Sequence, residues 1–140
     1  MDMNANALEF TSKRIKRYQP ETYKQNILEN GSTPTESFDS VGANYLLHCL
    51  PGAIGDKAIV FDNLKNLMNP GARLFGATIL QAGVERSWVA KKLMYLYNKK
   101  GIFSNSEDSL EGLRSALIKR FGNVTIQVFG CVALFSGQAL

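Results

Sequence analysis

Residues Phe38 to Gly52 read FDSVGANYLLHCLPG, and the fold turns on how this stretch is divided. An aromatic and an acid open it. Ser40-Val41-Gly42-Ala43 is then small and apolar enough for a closely packed strand ending near Ala43. Asn44 interrupts the apolar run, His48 follows one helical turn later, and Pro51-Gly52 stops the segment. An amide at the end of a buried strand must find a partner, whether backbone, water or ligand.

Working outward, alternating elements appear on the C-terminal side. Ile54, Ala58, Phe61, Leu64 or Lys65, and Met68 recur at helical spacing, and Asn69-Pro70-Gly71 ends that helix. Ala72 to Leu80 reads as a buried strand. Val84 to Lys99 predicts a helix with Trp88 in the core and its lysines snorkelling outward. Ser106 is the expected N-cap of a further helix, with Glu107 and Asp108 in its first turn and Leu110, Leu113 and Leu117 on its inner face. Val124–Val128 and Cys131–Phe135 are separated by Gly130, too few residues for a parallel crossover, so they predict an antiparallel hairpin.

On the N-terminal side, Asn6 with Glu9 three residues later predicts a helix start, and Pro20 a stop. Leu8, Ile15 and Tyr18 would share the inner side of that helix. Thr22 to Leu28 is expected to be a short strand and Asn30 to Ser37 a loop. Strands alternating with helices imply a largely parallel sheet covered by helices.

Composition sets the limits. The 140 residues suit one domain with a real core, and 45% apolar with 20% charged residues is ordinary for a soluble globular chain. MDMNANALEF lacks the basic and apolar regions of a secretory signal, and no stretch is long enough to span a bilayer. Cys49 and Cys131 show no metal-ligand spacing and are expected to be small core residues in a cytoplasmic protein. The net charge of +4 is too mild and dispersed for nucleic-acid recognition. No metal, nucleic-acid or membrane partner is therefore expected.

The order of elements, ending in a hairpin, resembles the C-terminal three-quarters of a class I S-adenosylmethionine-dependent methyltransferase. FDSVGANYLLHCLPG is similar to that family's fourth strand and following turn, of the form F-D-x-V-x-x-x-x-x-L-H-x-L. LKNLMNPGARLFGATIL resembles the helix, Pro-Gly turn and fifth strand, with Ala72 in place of the usual second glycine. The terminal hairpin resembles strands six and seven. MDMNANALEF resembles the end of the second strand and Tyr23 to Glu29 the third.

The resemblance implies a Rossmann-like α/β sheet, mostly parallel with a C-terminal antiparallel hairpin, lacking the first strand and its glycine-rich turn. Residues 1–140 would form one partial domain from a truncated or excised chain, or one whose start is misplaced. It implies S-adenosyl-L-methionine as cofactor and a small-molecule methyl acceptor. Asp2 would receive the ribose hydroxyls, Asn26 would lie near the adenine amino group, and Ile27 against the adenine ring. Asn44 would bond the cofactor's amino acid end or orient a substrate, unless it makes only a local bond to backbone. His48, the one histidine, could serve as general base, though a structural role is the favoured reading. A missing inner strand would leave unpaired backbone, which a homodimer or partner chain could cover. The competing reading is accordingly a non-catalytic remnant or interaction module that pairs with a second chain.

Overall fold

A computed structural model describes residues 1–29 and 37–140; the expected loop from Asn30 falls, apart from Ser37, outside them. The chain divides into two compact units, Met1–Thr33 and Pro34–Leu140.

In the first unit, α1 spans Ala5–Arg14 and is capped by Asn4, whose Oδ1 accepts from the N–H groups of Asn6 at 2.9 Å and Ala7 at 3.3 Å. The cap is thus two residues earlier than Asn6. The helix continues into a single 3-10 turn, Lys16–Tyr18, and stops at Gln19, which takes a left-handed φ of 50° just before Pro20. No residue of α1 is buried, and Tyr18 is exposed rather than turned inward. The strand expected over Thr22 to Leu28 reduces to one parallel bridge, between Lys24 and Asp2. The reason is local: the Asn26 side chain accepts from Leu28 N–H at 3.1 Å and its carbonyl from Glu29 N–H at 3.1 Å, curling the chain into a turn.

The second unit holds a four-stranded mixed sheet in the order β1-β2-β4-β3. Its strands are β1 (Phe38–Asn44), β2 (Met68–Ile79), β3 (Phe121–Phe129) and β4 (Val132–Ala139). β1 and β2 run parallel, with Asn44 opposite Ala77. β2–β4 and β3–β4 are antiparallel, so the hairpin lies where its short connection requires. Between β1 and β2 the chain crosses over through α2 (Ile54–Lys57) and α3 (Ile59–Lys65). α4 (Trp88–Lys99) and α5 (Leu110–Ile118) link β2 to β3.

Apolar spacing explains the core. Val60, Phe61 and Leu64 of α3 and Leu113 and Leu117 of α5 are buried with Leu74, Phe121 and Phe135 of the sheet. Phe61 meets Phe135 edge-on at 5.9 Å and Phe121 at 6.3 Å. Burying one such ring contributes roughly 2–3 kcal/mol. Arg120 closes the α3–α5 side, donating from Nε and an Nη to the two carboxylate oxygens of Asp62 at 2.7 and 2.8 Å. That paired hydrogen bond holds the Asp62 carboxyl below the ordinary carboxylate range.

Two sequence expectations change here. α5 is capped by Ser109, whose Oγ accepts from Gly112 N–H at 3.0 Å, and not by Ser106. Asp108 is drawn into the interior instead, and its carbonyl accepts from Gln81 and Ala82 N–H. Trp88 is not a core residue: 77% of it is exposed, and Met94 is the buried side chain of α4. Among the described residues no helix is long and apolar enough to cross a membrane.

Candidate functional site

The sequence-derived candidates fall into two groups, Asp2 with Asn26 and Ile27 in one unit and Asn44 with His48 in the other.

Asp2 is tied on both sides to the segment that carries Asn26. Its N–H donates to Tyr23 O at 3.1 Å and its carbonyl accepts from Gln25 N–H at 3.2 Å. One carboxylate oxygen, Oδ1, accepts from Asn4 N–H at 2.8 Å, which orients the side chain at the start of α1. The group is exposed, leaving Oδ2 available to further donors. Asn26 has less freedom: Nδ2 donates to Glu29 at 2.7 Å, while Oδ1 holds the turn and keeps one lone pair for another donor. Ile27 is half-buried beside it. The neighbouring Gln25 Oε1 is buried without a hydrogen-bond partner among the described residues. This donor-poor, acceptor-rich corner fits a ligand that brings hydroxyl and amino donors, as a ribose and an adenine do.

At the end of β1, Asn44 is exposed, which corrects the picture of a buried amide. Its side chain stands in water at the C-terminal end of β1, so no protein partner is required of it. Among the described residues the amide has none, so it is open to a ligand. Tyr45 follows with a φ of 55°, an unusual conformation that turns the chain sharply off the strand while its N–H still donates to Ala77 O at 2.8 Å.

The turn Leu47–Cys49 then brings His48 inside, with only 3% exposed. Its ring packs edge-on to Phe103 at 4.7 Å and Tyr45 at 5.8 Å, and Nδ1 is buried without a partner among the described residues. Burial first, and the charge of Lys57 second, push its pKa below the ordinary 6.5. A shielded, neutral imidazole of this kind favours the structural role over that of a base reaching substrate. The consequence for stability has a definite sign. As pH falls through 6.5, the unfolded chain takes up a proton at His48 that the folded chain refuses. Stability is therefore expected to drop from pH 7.5 towards pH 5.5. A His48→Phe variant followed by urea denaturation across that range should show a flatter dependence, and an unchanged slope would refute the assignment.

Cys49 is exposed and Cys131 half-buried, so neither is the core residue expected. Partial burial pushes the Cys49 thiol up, away from a reactive thiolate.

Sequence reasoning missed the polar pin beneath this end of the sheet. Lys57 is fully buried, and its Nζ donates to Asp108 Oδ2 at 2.8 Å, to Oδ1 at 3.0 Å and to Ser104 O at 2.5 Å. Ser104 N–H in turn donates to His48 O at 2.8 Å. Asn105, also buried, donates from Nδ2 to Ile79 O at 2.9 Å and accepts from Asn98 Nδ2 at 2.8 Å. These bonds fix the 103–109 loop against the ends of β1 and β2. The signal was available: Lys57 lies three residues after Ile54 and four before Phe61, on the apolar face of the helical pattern.

Comparison with known proteins bears on what this arrangement serves. No family model matches the chain. It is 38% identical over 135 residues to demethylluteothin O-methyltransferase of Streptomyces thioluteus, a match covering 96% of this chain and 59% of that protein. An O-methyltransferase family protein from Burkholderia thailandensis superposes with a TM-score of 0.70 at 17% identity, over 96% of this chain and 40% of that one. The N-methyltransferase NodS of Bradyrhizobium japonicum WM9, solved with S-adenosyl-L-homocysteine, superposes with a TM-score of 0.62 at 16% identity, over 99% of this chain and 64% of that one. At such identities the two structures speak for the fold alone. The chain spans about half the length of the curated relatives it matches, between 46% and 62%. The sheet order and the terminal hairpin agree with the 33–39% identity to methyltransferases: over most of its own length the chain is similar to part of a methyltransferase.

Proposed function

We propose that this chain serves S-adenosylmethionine-dependent methyl transfer to a small-molecule acceptor. The observation that carries the reading is its 38% identity, along nearly its whole length, to an O-methyltransferase. The open Oδ2 of Asp2 would accept from ribose hydroxyls, with Oδ1 held in place by Asn4 N–H. Asn26 Oδ1 would accept from the adenine amino group, and Ile27 would offer apolar surface to the ring. Asn44, exposed at the end of β1, would bond the amino acid end. Bound cofactor supplies a methyl group on a sulfonium, a strong electrophile, so the protein's part is positioning and exclusion of water. The buried His48 would support the turn after β1 from within. The cytoplasm is the proposed compartment, in keeping with two free cysteines.

A second reading rests on a separate observation. β1 is an edge strand with most of its residues exposed, and such an edge invites pairing with another chain. In that case the chain would act as a module completed by a homodimer or partner.

Calorimetric titration with S-adenosyl-L-homocysteine, on this chain and on its Asp2→Ala variant, tests the first reading. Binding is expected, weakened by about tenfold or more in the variant, because hydrogen bonds to a charged group are worth about 1.5–3 kcal/mol. Equal affinity of the two would remove Asp2 from the site. Absence of heat, together with a dimeric mass in solution, would favour the pairing module.

A further inference from the structure

α4 is attached to its unit along one narrow face. Met94 is buried, and Ala90, Tyr97 and Asn98 are half-buried on the same side. The rest of the helix is open to solvent, including Trp88 at 77% and Tyr95 at 68%, with Val89, Leu93 and Leu96 also exposed. At about 100° per residue, Val89, Leu93 and Leu96 form one apolar stripe. Lys92 and Lys99 border that stripe, with Trp88 and Tyr95 just beyond them. Lys91, Lys92, Lys99 and Lys100 are all exposed, and no acidic residue lies between Trp88 and Lys100. Glu85 is the nearest acid on the N-terminal side, and Arg86 and Lys91 line an open cleft where the helix begins.

An exposed apolar stripe edged by lysines, with tryptophan and tyrosine at the boundary, has the chemistry of a helix that lies in a lipid–water interface. The uncompensated positive charge selects an anionic surface over a neutral one. We infer that α4 docks the chain on anionic lipid, with Val89, Leu93 and Leu96 entering the boundary between headgroups and acyl chains. Lys92, Lys99 and Lys100 then lie among the headgroups, and Trp88 and Tyr95 sit at their level. Surface attachment of this kind needs no spanning segment and goes beyond the methyl-transfer reading, on which it does not depend. Each lysine near such a surface strengthens attachment by roughly fivefold, so Lys92, Lys99 and Lys100 together dominate the preference.

Trp88 is the only tryptophan of the 140 residues, so emission excited selectively in tryptophan reports on α4 alone. The chain is titrated with vesicles of phosphatidylglycerol and phosphatidylcholine, and separately with phosphatidylcholine alone. A blue shift of the emission and co-sedimentation are expected with the anionic vesicles, at an affinity on the order of tenfold or more above the neutral ones. Changing Lys92, Lys99 and Lys100 together to glutamine should abolish that preference while leaving the circular dichroism spectrum unchanged. Leu93→Ser should reduce the blue shift. The inference is overturned by an unchanged emission with both vesicle types, or by equal binding to the two. An equal blue shift with duplex DNA or polyglutamate at the same ionic strength would overturn it too, assigning the face to a polyanion other than lipid.

Discussion

Replacing Lys57 with methionine is expected to destabilise the Pro34–Leu140 unit by about 3–5 kcal/mol, the usual cost of removing one partner of a buried ion pair. Methionine fills a similar volume, so the loss is electrostatic and not a cavity. Asp108 would remain fully buried with neither of its two bonds to Nζ, and the Ser104 carbonyl would lose its donor as well. The cost should depend on pH in a set direction. Burial already raises the Asp108 pKa above its ordinary 3.8, against the lowering influence of Lys57. A carboxyl with a raised folded pKa stabilises fully below its unfolded value, and that contribution is lost as pH rises through the folded one. Without Lys57 the opposing influence disappears and the folded pKa climbs further. The variant should thus lie closest to the parent in mild acid and farthest from it above neutrality. Thermal melts at several pH values would show this, and a pH-independent difference would refute the account. The double variant Lys57→Met with Asp108→Leu should recover much of the loss, because no charge is then left buried.

The same pair shows why the sequence was legible in some places and not in others. β1, the Ala72 to Ile79 part of β2 and the terminal hairpin could be read directly from their apolar runs, but β2 begins at Met68 and runs through the Asn69-Pro70-Gly71 that was expected to end a helix before it. The family resemblance was legible for the same reason, because it rests on those strands and their turns. The start of α5 was misplaced because Glu107 and Asp108 look like first-turn acids, while Asp108 in fact answers a buried lysine 51 residues away. No local signal carries that information. Trp88 was assigned to the core on hydrophobicity alone, but α4 meets the unit through Met94, and one helix cannot bury opposite faces against a single neighbour. Asn44 was expected to be buried because the run before it is small and apolar, but burial along β1 stops at Ala43 and the amide at its end is exposed. Around Asn26, a side chain bonding its own backbone overrode strand propensity, a competition that residue type hints at but does not decide.

Gly76→Ala is expected to be the other severe substitution. Gly76 sits in β2 opposite Ala43 of β1 and Phe135 of β4, with a strand on either side. A Cβ placed there would lie 2.3 Å from the Ala43 carbonyl oxygen, 3.0 Å from its carbon and 2.5 Å from Phe135 Cζ. Phe135 is buried in contact with Phe61, so its ring has little room to withdraw. The Ala43 carbonyl belongs to backbone and can move only if the β1–β2 ladder opens. Overpacking of this kind costs about 1–3 kcal/mol even where side chains can adjust, and a backbone clash should lie at or above the top of that range. Gly42→Ala provides the control, one strand over. Its Cβ would meet Phe75 ring atoms at 3.1 Å, and that ring is substantially exposed and able to swing aside. The two variants carry the same added methyl and similar strand propensity, so the difference between their melting temperatures isolates the close approach. Equal, small shifts would mean that β1 and β2 separate easily at this point. Because Asn44 is the next residue along β1, a ladder forced open at Ala43 would also displace the amide proposed to meet the cofactor. Gly76→Ala should therefore weaken S-adenosyl-L-homocysteine binding at temperatures where the chain is still folded, whereas Gly42→Ala should leave it nearly unchanged.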